Sequence, residues 1–90
     1  MTFGEALELL KEGKKISRKN WNGKNQYIEL ATMISYVDVN GNIINATHTT
    51  MGNCAIAFHG TSGVQIGWLA SQSDILSEDW YIFKSKEGEK

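Results

Sequence analysis

Proline is absent from this chain and cysteine occurs once, and both facts narrow what it can be. A single thiol, Cys54, excludes an internal disulfide. With only two histidines, His48 and His59, it does not form the thiolate-rich set of a structural zinc site. No run of about 18 apolar residues is present to cross a membrane as a helix. Glu5 and Glu8 stand where a signal peptide needs positive charge and then an apolar core, so a cytoplasmic protein is expected. A strong charge of either sign is missing too. Nine basic and ten acidic residues leave a formal net charge of −1, a weak footprint for a polyanion such as nucleic acid. The phosphate-cradling patterns G-x-x-x-x-G-K-[ST] and G-x-G-x-x-G do not occur, and Gly60, Gly63 and Gly67 have turn spacing instead.

Ninety residues leave room for one domain, expected to span 1–90 with a frayed tail from about residue 85. A chain of this size buries only about 60–65 % of its unfolded surface. With disulfides and zinc set aside, association between copies is the remaining way to enlarge the core.

Local signals define an α+β fold. Thr2 and Glu5 form a capping box, and Phe3, Ala6, Leu7 and Leu10 make one apolar stripe. Gly13 supplies a left-handed stop, which predicts a helix over about 3–12. The rest reads as short strands in a small, mostly antiparallel sheet. Ile16–Lys19 and Tyr27–Ala31 flank Asn22-Gly23, Ile34–Val39 and Asn42–Ala46 flank Asn40-Gly41, and Ala55–His59 and Val64–Trp68 flank Gly60–Gly63. The first two dipeptides favour tight hairpin turns. Residues 45–53, rich in Thr and Asn and without period, read as a loop. Ser71 and Asp74 predict a short capped helix through Leu76, and Trp80–Phe83 a last strand.

Catalytic groupings are weak, and no enzyme is expected. Cys54 and His59 lie five apart across a loop–strand junction, which is no recognised nucleophile–base geometry. Asp74, Glu78 and Asp79 read as caps and solvated charges. Charge placement says more. Six of the nine basic residues fall between Lys11 and Lys24, against one acid, Glu12. Trp21 stands among them beside the Asn22-Gly23 turn. An aromatic ring beside cations and amides suits a ligand carrying a base and phosphates; the competing reading is a solvated face with Trp21 folded onto the core. Trp68 is ambiguous in the same way. Its phase with Val64 and Ile66 argues for core, while its place before Leu69–Gln72 sets it next to a helix start whose N–H groups can face an anion. Trp80 reads as core.

Three stretches carry a resemblance: Phe3-Gly4-Glu5-Ala6-Leu7, then Arg18 to Lys24, then Trp68 to Trp80. Together they resemble a family of small phage proteins that includes the second type of Thoeris anti-defence protein. The resemblance implies a compact α+β homotetramer with ligand pockets between subunits and no cofactor. It implies a sponge that holds a cyclic ADP-ribose isomer, glycocyclic ADP-ribose, intact, so that the Thoeris effector never senses it. Some members of that family also take cyclic oligonucleotide signals. Combined with the residue reading, it places a candidate ligand site where the Arg18, Trp21, Asn22, Gly23, Lys24 and Asn25 turn meets the Trp68, Ala70, Ser71, Gln72 and Asp74 corner. There Trp21 would stack on adenine, Asn22, Asn25 and Gln72 would bond base or ribose, and Arg18 or Lys24 would face the pyrophosphate. Two other classes stand beside this reading: a nucleic-acid-binding module and a small hydrolase of the same nucleotide. Salt dependence separates the first, and the fate of the ligand the second.

Overall fold

The computed structural model describes residues 1–23, 25–47 and 55–84. Its elements run α1 (Phe3–Lys11), β1 (Ile16–Arg18), β2 (Tyr27–Ala31), β3 (Met33–Val37), β4 (Ile43–Thr47), β5 (Ala55–Gly60), β6 (Gly63–Ile66), α2 (Gln72–Leu76) and β7 (Trp80–Ile82). Five strands form one antiparallel sheet in the order β6-β5-β2-β1-β7, and β3 and β4 form a separate two-stranded sheet. The fold is α+β, with the N-terminal helix against the larger sheet and the short helix ahead of the last strand.

Both helices begin where their capping boxes lie. Thr2 Oγ1 accepts from the Glu5 N–H while Glu5 takes the Thr2 N–H at 2.8 Å, and Ser71 and Asp74 exchange the same pair of bonds. The first helix ends in a Schellman motif. Gly13 (φ 93°) donates to Leu10 O and Lys14 to Leu9 O, and only a residue free to adopt positive φ closes it without strain. This stop turns Leu10 and Ala6 inward, where they are fully buried with Ile16, Ile28 and Trp80. Register assembles the facing sheet surface. Ile28 opposes Ile16 on one side and Phe58 on the other, and Leu30 opposes Ile56, so these side chains share the helix-facing surface. Complete burial of side chains such as Leu10 and Ile28 contributes about 1.5–3 kcal/mol each.

The turns differ from their sequence signals in instructive ways. Between β1 and β2 no tight hairpin forms at Asn22-Gly23. The connection runs through residues 19–26, and among its described residues Asn25 (φ 61°), not Gly23, is left-handed. Gly23 serves close approach instead, since a Cβ there would strike the Gln26 side chain and come within 2.9 Å of Thr61 Cγ2. At Asn40-Gly41 a three-residue loop replaces the two-residue turn. Asp38 N donates to Asn42 O, Gly41 N donates to Asp38 O, and Gly41 alone takes positive φ (87°). Asn45 and Ala46, which fell in both the expected strand and the expected loop, and Thr47, expected in the loop alone, belong to β4, where pairing with β3 overrides the low strand propensity of Asn45 and Ala46. The rest of that stretch, with His48 and Cys54, lies outside the described residues, as does the expected frayed tail.

One irregularity directly shapes the site. Gly67 (φ 87°) and Trp68 both donate to Ile56 O, so two residues oppose one in a β-bulge. Because side chains alternate, the extra residue moves Trp68 from the face of Ile66 to that of Ile56. Trp68 therefore packs against the core, while Val64 and Ile66 are 57 % and 45 % exposed. The phase argument joining Trp68 to Val64 and Ile66 fails at this bulge, although a core-facing Trp68 is correct.

Candidate functional site

At the junction of β1, α2 and β7, one guanidinium meets two carboxylates. Arg18 ends β1 on the helix-facing side, opposite Trp80 of β7. Its Nη1 donates to Asp74 Oδ1 at 2.8 Å and its Nε to Asp79 Oδ1 at 2.9 Å. Arg18 and Asp74 are each only 8 % exposed. Asp74 is the N3 residue of the α2 capping box, so its other oxygen, Oδ2, takes the Ser71 N–H and hydroxyl at 2.9 Å each. Its Oδ1 also accepts from Trp21 Nε1 at 3.2 Å. Asp79 Oδ2 accepts the Asn20 N–H at 3.0 Å. Every buried side-chain polar atom among the described residues has a partner, as burial of ionised groups requires.

The titration behaviour follows from these bonds. Burial pushes the Asp74 carboxyl up, but the bonds from Ser71, Arg18 and Trp21 outweigh it and hold the group below the usual aspartate range. Asp79 is lowered chiefly by the Arg18 bond, and Arg18 is raised chiefly by Asp79. All three stay charged at neutral pH. Each is committed to the others rather than poised to transfer a proton.

Three tryptophans surround this network. Trp21 meets Trp80 at 5.4 Å between centroids, Trp68 at 6.2 Å and Phe58 at 5.4 Å, all edge-to-face. Trp80 is buried and donates Nε1–H to the Asp74 carbonyl at 2.9 Å. Trp21 is half-buried, and beside it opens a cleft of about 450 Å³, lined by Lys19, Trp21, Asn22, Asn25, Tyr81 and others. A cleft of this size falls within the range of small-molecule sites.

The structure thus sorts the sequence-selected residues into two groups. Arg18, Trp21, Asn22, Gly23 and Asn25 line the cleft. Trp68, Ser71 and Asp74 stand behind it, joined through the ring of Trp21 or the guanidinium of Arg18. Ala70 is half-buried and Gln72 exposed, and neither lines the cleft; Lys24 lies outside the described residues. Two N–H groups at the α2 start, those of Ser71 and Asp74, are already occupied by the capping box. Sequence reasoning missed Asp79 as the second partner of Arg18, and Tyr81 and Gln26 as cleft walls. Asp79 and Tyr81 flank the core residue Trp80, which is the one signal that could have drawn attention to them.

Outside this region, His59 Nε2 lies 2.6 Å from Glu29 Oε2 and the imidazole stacks on Tyr27 at 4.3 Å. That pairing, across β2 and β5, is the setting of the histidine weighed earlier with Cys54. Among the described residues no group of three or more His, Cys, Asp or Glu is placed to hold a metal ion. No helix among the described residues is long and apolar enough to cross a membrane.

A small α+β domain with an aromatic-walled cleft over an internally neutralised ion cluster is a scaffold suited to holding a ligand. The family profile described as Tad2-like, Thoeris anti-defense 2-like domain, matches residues 1–83. The chain is also 41 % identical over 87 residues to the protein "Thoeris anti-defense 2" of Bacillus phage SP01, covering 91 % of this chain and 93 % of that relative. The chain therefore belongs to the Thoeris anti-defense 2-like family, and its class is that of phage Thoeris anti-defense proteins.

Proposed function

We propose that this protein binds a cyclic ADP-ribose-type immune signal, glycocyclic ADP-ribose, holds it uncleaved, and so keeps it from the Thoeris effector. The observation that carries this reading is the cleft beside Trp21, where an aromatic ring and two amide side chains border a lysine in a protein of anti-defense class. Trp21 offers a stacking partner for adenine, and Asn22 and Asn25 offer donors and acceptors for base edges or ribose hydroxyls. Arg18 is held by two carboxylates, so the pyrophosphate role passes to the exposed Lys19 on the cleft wall, which offsets phosphate charge without losing an internal partner. The commitment of Asp74, Asp79 and Arg18 to one another supports binding without turnover, because a general acid or base must be free to exchange its proton with the substrate.

Affinity of the needed size is reachable. A cyclic ADP-ribose has roughly 35 non-hydrogen atoms, and about −0.3 kcal/mol per atom gives on the order of −10 kcal/mol, or tens of nanomolar. An open cleft on a 90-residue chain encloses such a ligand only in part. A homotetramer with walls from two subunits would complete it, and would leave room for cyclic oligonucleotides as further ligands. The deciding experiment incubates the protein with glycocyclic ADP-ribose, denatures it by heat and analyses the supernatant by mass spectrometry. Intact nucleotide recovered in proportion to protein is expected. Linear or cleaved product in excess of protein would establish a hydrolase instead. Loss of affinity as steep as a polynucleotide binder's on raising salt would favour the nucleic-acid reading.

A further inference from the structure

Trp21 sits in the connection between β1 and β2, where backbone bonds fix its start. The Lys19 N–H donates to Asp79 O, the Asn20 N–H to Asp79 Oδ2 and the Trp21 N–H to Arg18 O. These place the Trp21 backbone and leave its two side-chain torsions to other contacts. Its ring neighbours, Phe58, Trp68 and Trp80, meet it edge-to-face. Burial against such rings is non-directional, so it holds the indole in place without choosing which edge points where. An indole has one donor and no acceptor, and that donor, Nε1–H, reaches Asp74 Oδ1 at 3.2 Å. The acceptor is itself fixed. Its Oδ2 takes the Ser71 N–H and hydroxyl, while Arg18 Nη1 grips Oδ1 at 2.8 Å and is held in turn by Asp79. Helix capping does not require this burial. Glu5 fills the same place in the α1 capping box and is exposed, whereas Asp74 is buried and turns its second oxygen to Arg18 and Trp21.

We propose that Asp74 is a positioning residue for the nucleotide: it holds the Trp21 indole in its stacking orientation before the ligand arrives, without touching the ligand. This rests on the nucleotide reading and gives the stacking ring a fixed geometry within it. Asp74 does not line the cleft while Trp21 does, so its effect on the ligand runs through the indole. A ring free to turn is competent to stack only part of the time, and the apparent dissociation constant rises by the inverse of that fraction. A hydrogen bond to a charged acceptor shifts such a balance by about tenfold or more. Arg18, the other partner of Oδ1, also lines the cleft, so the experiment must separate the two routes.

The test is a double-mutant cycle by calorimetry with glycocyclic ADP-ribose as titrant. It uses full-length wild type, Asp74→Ala, Trp21→Phe and the doubly substituted protein, with circular dichroism to confirm folding. Phenylalanine keeps a ring to stack and lacks the indole N–H. Asp74→Ala is expected to weaken binding about tenfold with Trp21 present and less than about twofold in the Trp21→Phe background. Equal losses in the two backgrounds would overturn the proposal, because an effect through Arg18, through α2 or through general stability acts whichever ring stands at position 21. If Asp74→Ala fails to fold, nuclear magnetic resonance on the unmutated, ligand-free protein decides the matter. The Trp21 indole N–H, assigned by its absence from the Trp21→Phe spectrum, should show the order parameter of rigid backbone, about 0.85; a value below about 0.6 would overturn the proposal. A wild type that takes up no nucleotide sinks the nucleotide reading and the proposal together, whereas a binding wild type with uncoupled residues sinks the proposal alone.

Discussion

Replacing Asp74 by alanine tests the ion cluster most directly. The substitution removes four acceptor contacts at once: Arg18 Nη1, Trp21 Nε1, and the Ser71 N–H and hydroxyl. It leaves a guanidinium that is 8 % exposed with Asp79 as its remaining carboxylate. Breaking a buried pair costs about 3–5 kcal/mol. Because Asp79 stays on Nε, the loss should fall near the lower end, about 3 kcal/mol. A domain of this length has a total stability of roughly 5–13 kcal/mol, so the variant forfeits a large share. At about 4–8 °C per kcal/mol for a chain of this size, the melting temperature should drop by about 12–24 °C. Urea unfolding followed by tryptophan fluorescence suits the measurement, since three indoles surround the cluster; protein concentration must be held fixed. The midpoint should fall with little change in slope. A loss under about 1 kcal/mol would place the pair among ordinary surface bridges and refute the reasoning. Adding Arg18→Met to Asp74→Ala should cost less than the two single losses summed, because no buried guanidinium is then stranded.

Acid should weaken the fold through the same groups. Asp74 and Asp79 are held below their usual range in the folded state, so the folded protein binds fewer protons than the unfolded chain. Their stabilisation is thus complete above the unfolded aspartate value of about 3.9 and is lost as pH falls through the lower folded values. An undiminished acid slope in an Asp74→Asn, Asp79→Asn double variant would contradict this. Gly67→Ala should destabilise by about 1–2 kcal/mol in thermal melts, since a Cβ is strained at φ 87°, and near-ultraviolet circular dichroism should register the displaced Trp68. Trp21→Ala should weaken nucleotide binding by about 1–3 kcal/mol in calorimetry. Its contacts with Trp80 and Phe58 mean that melts will show a stability loss as well; unchanged affinity in a folded variant would move the site elsewhere.

Local chemistry alone determined much of this protein. Both capping boxes, the Gly13 stop and most strand positions follow from interactions and periodicities among residues a few places apart, and these are written in the order of residues. The Arg18 to Asn25 turn was legible as a candidate site for the same reason, because its aromatic, basic and amide residues are neighbours in sequence. What the tertiary structure decided depends on partners far along the chain. Arg18 looks like a free cation until Asp74 and Asp79, 56 and 61 residues away, are brought onto it. Gly23 carries a turn signal, yet its role is set by Gln26 and by Thr61 on another hairpin. The Gly67 bulge reverses the face of Trp68 because a period-2 pattern does not record an inserted residue. Strand and loop signals overlapped at Asn45 and Ala46 and Thr47 read as loop, and pairing with β3 settled all three as strand. Sequence patterns report the preferences of short segments, whereas charge neutralisation and strand register are settled by which distant segments meet.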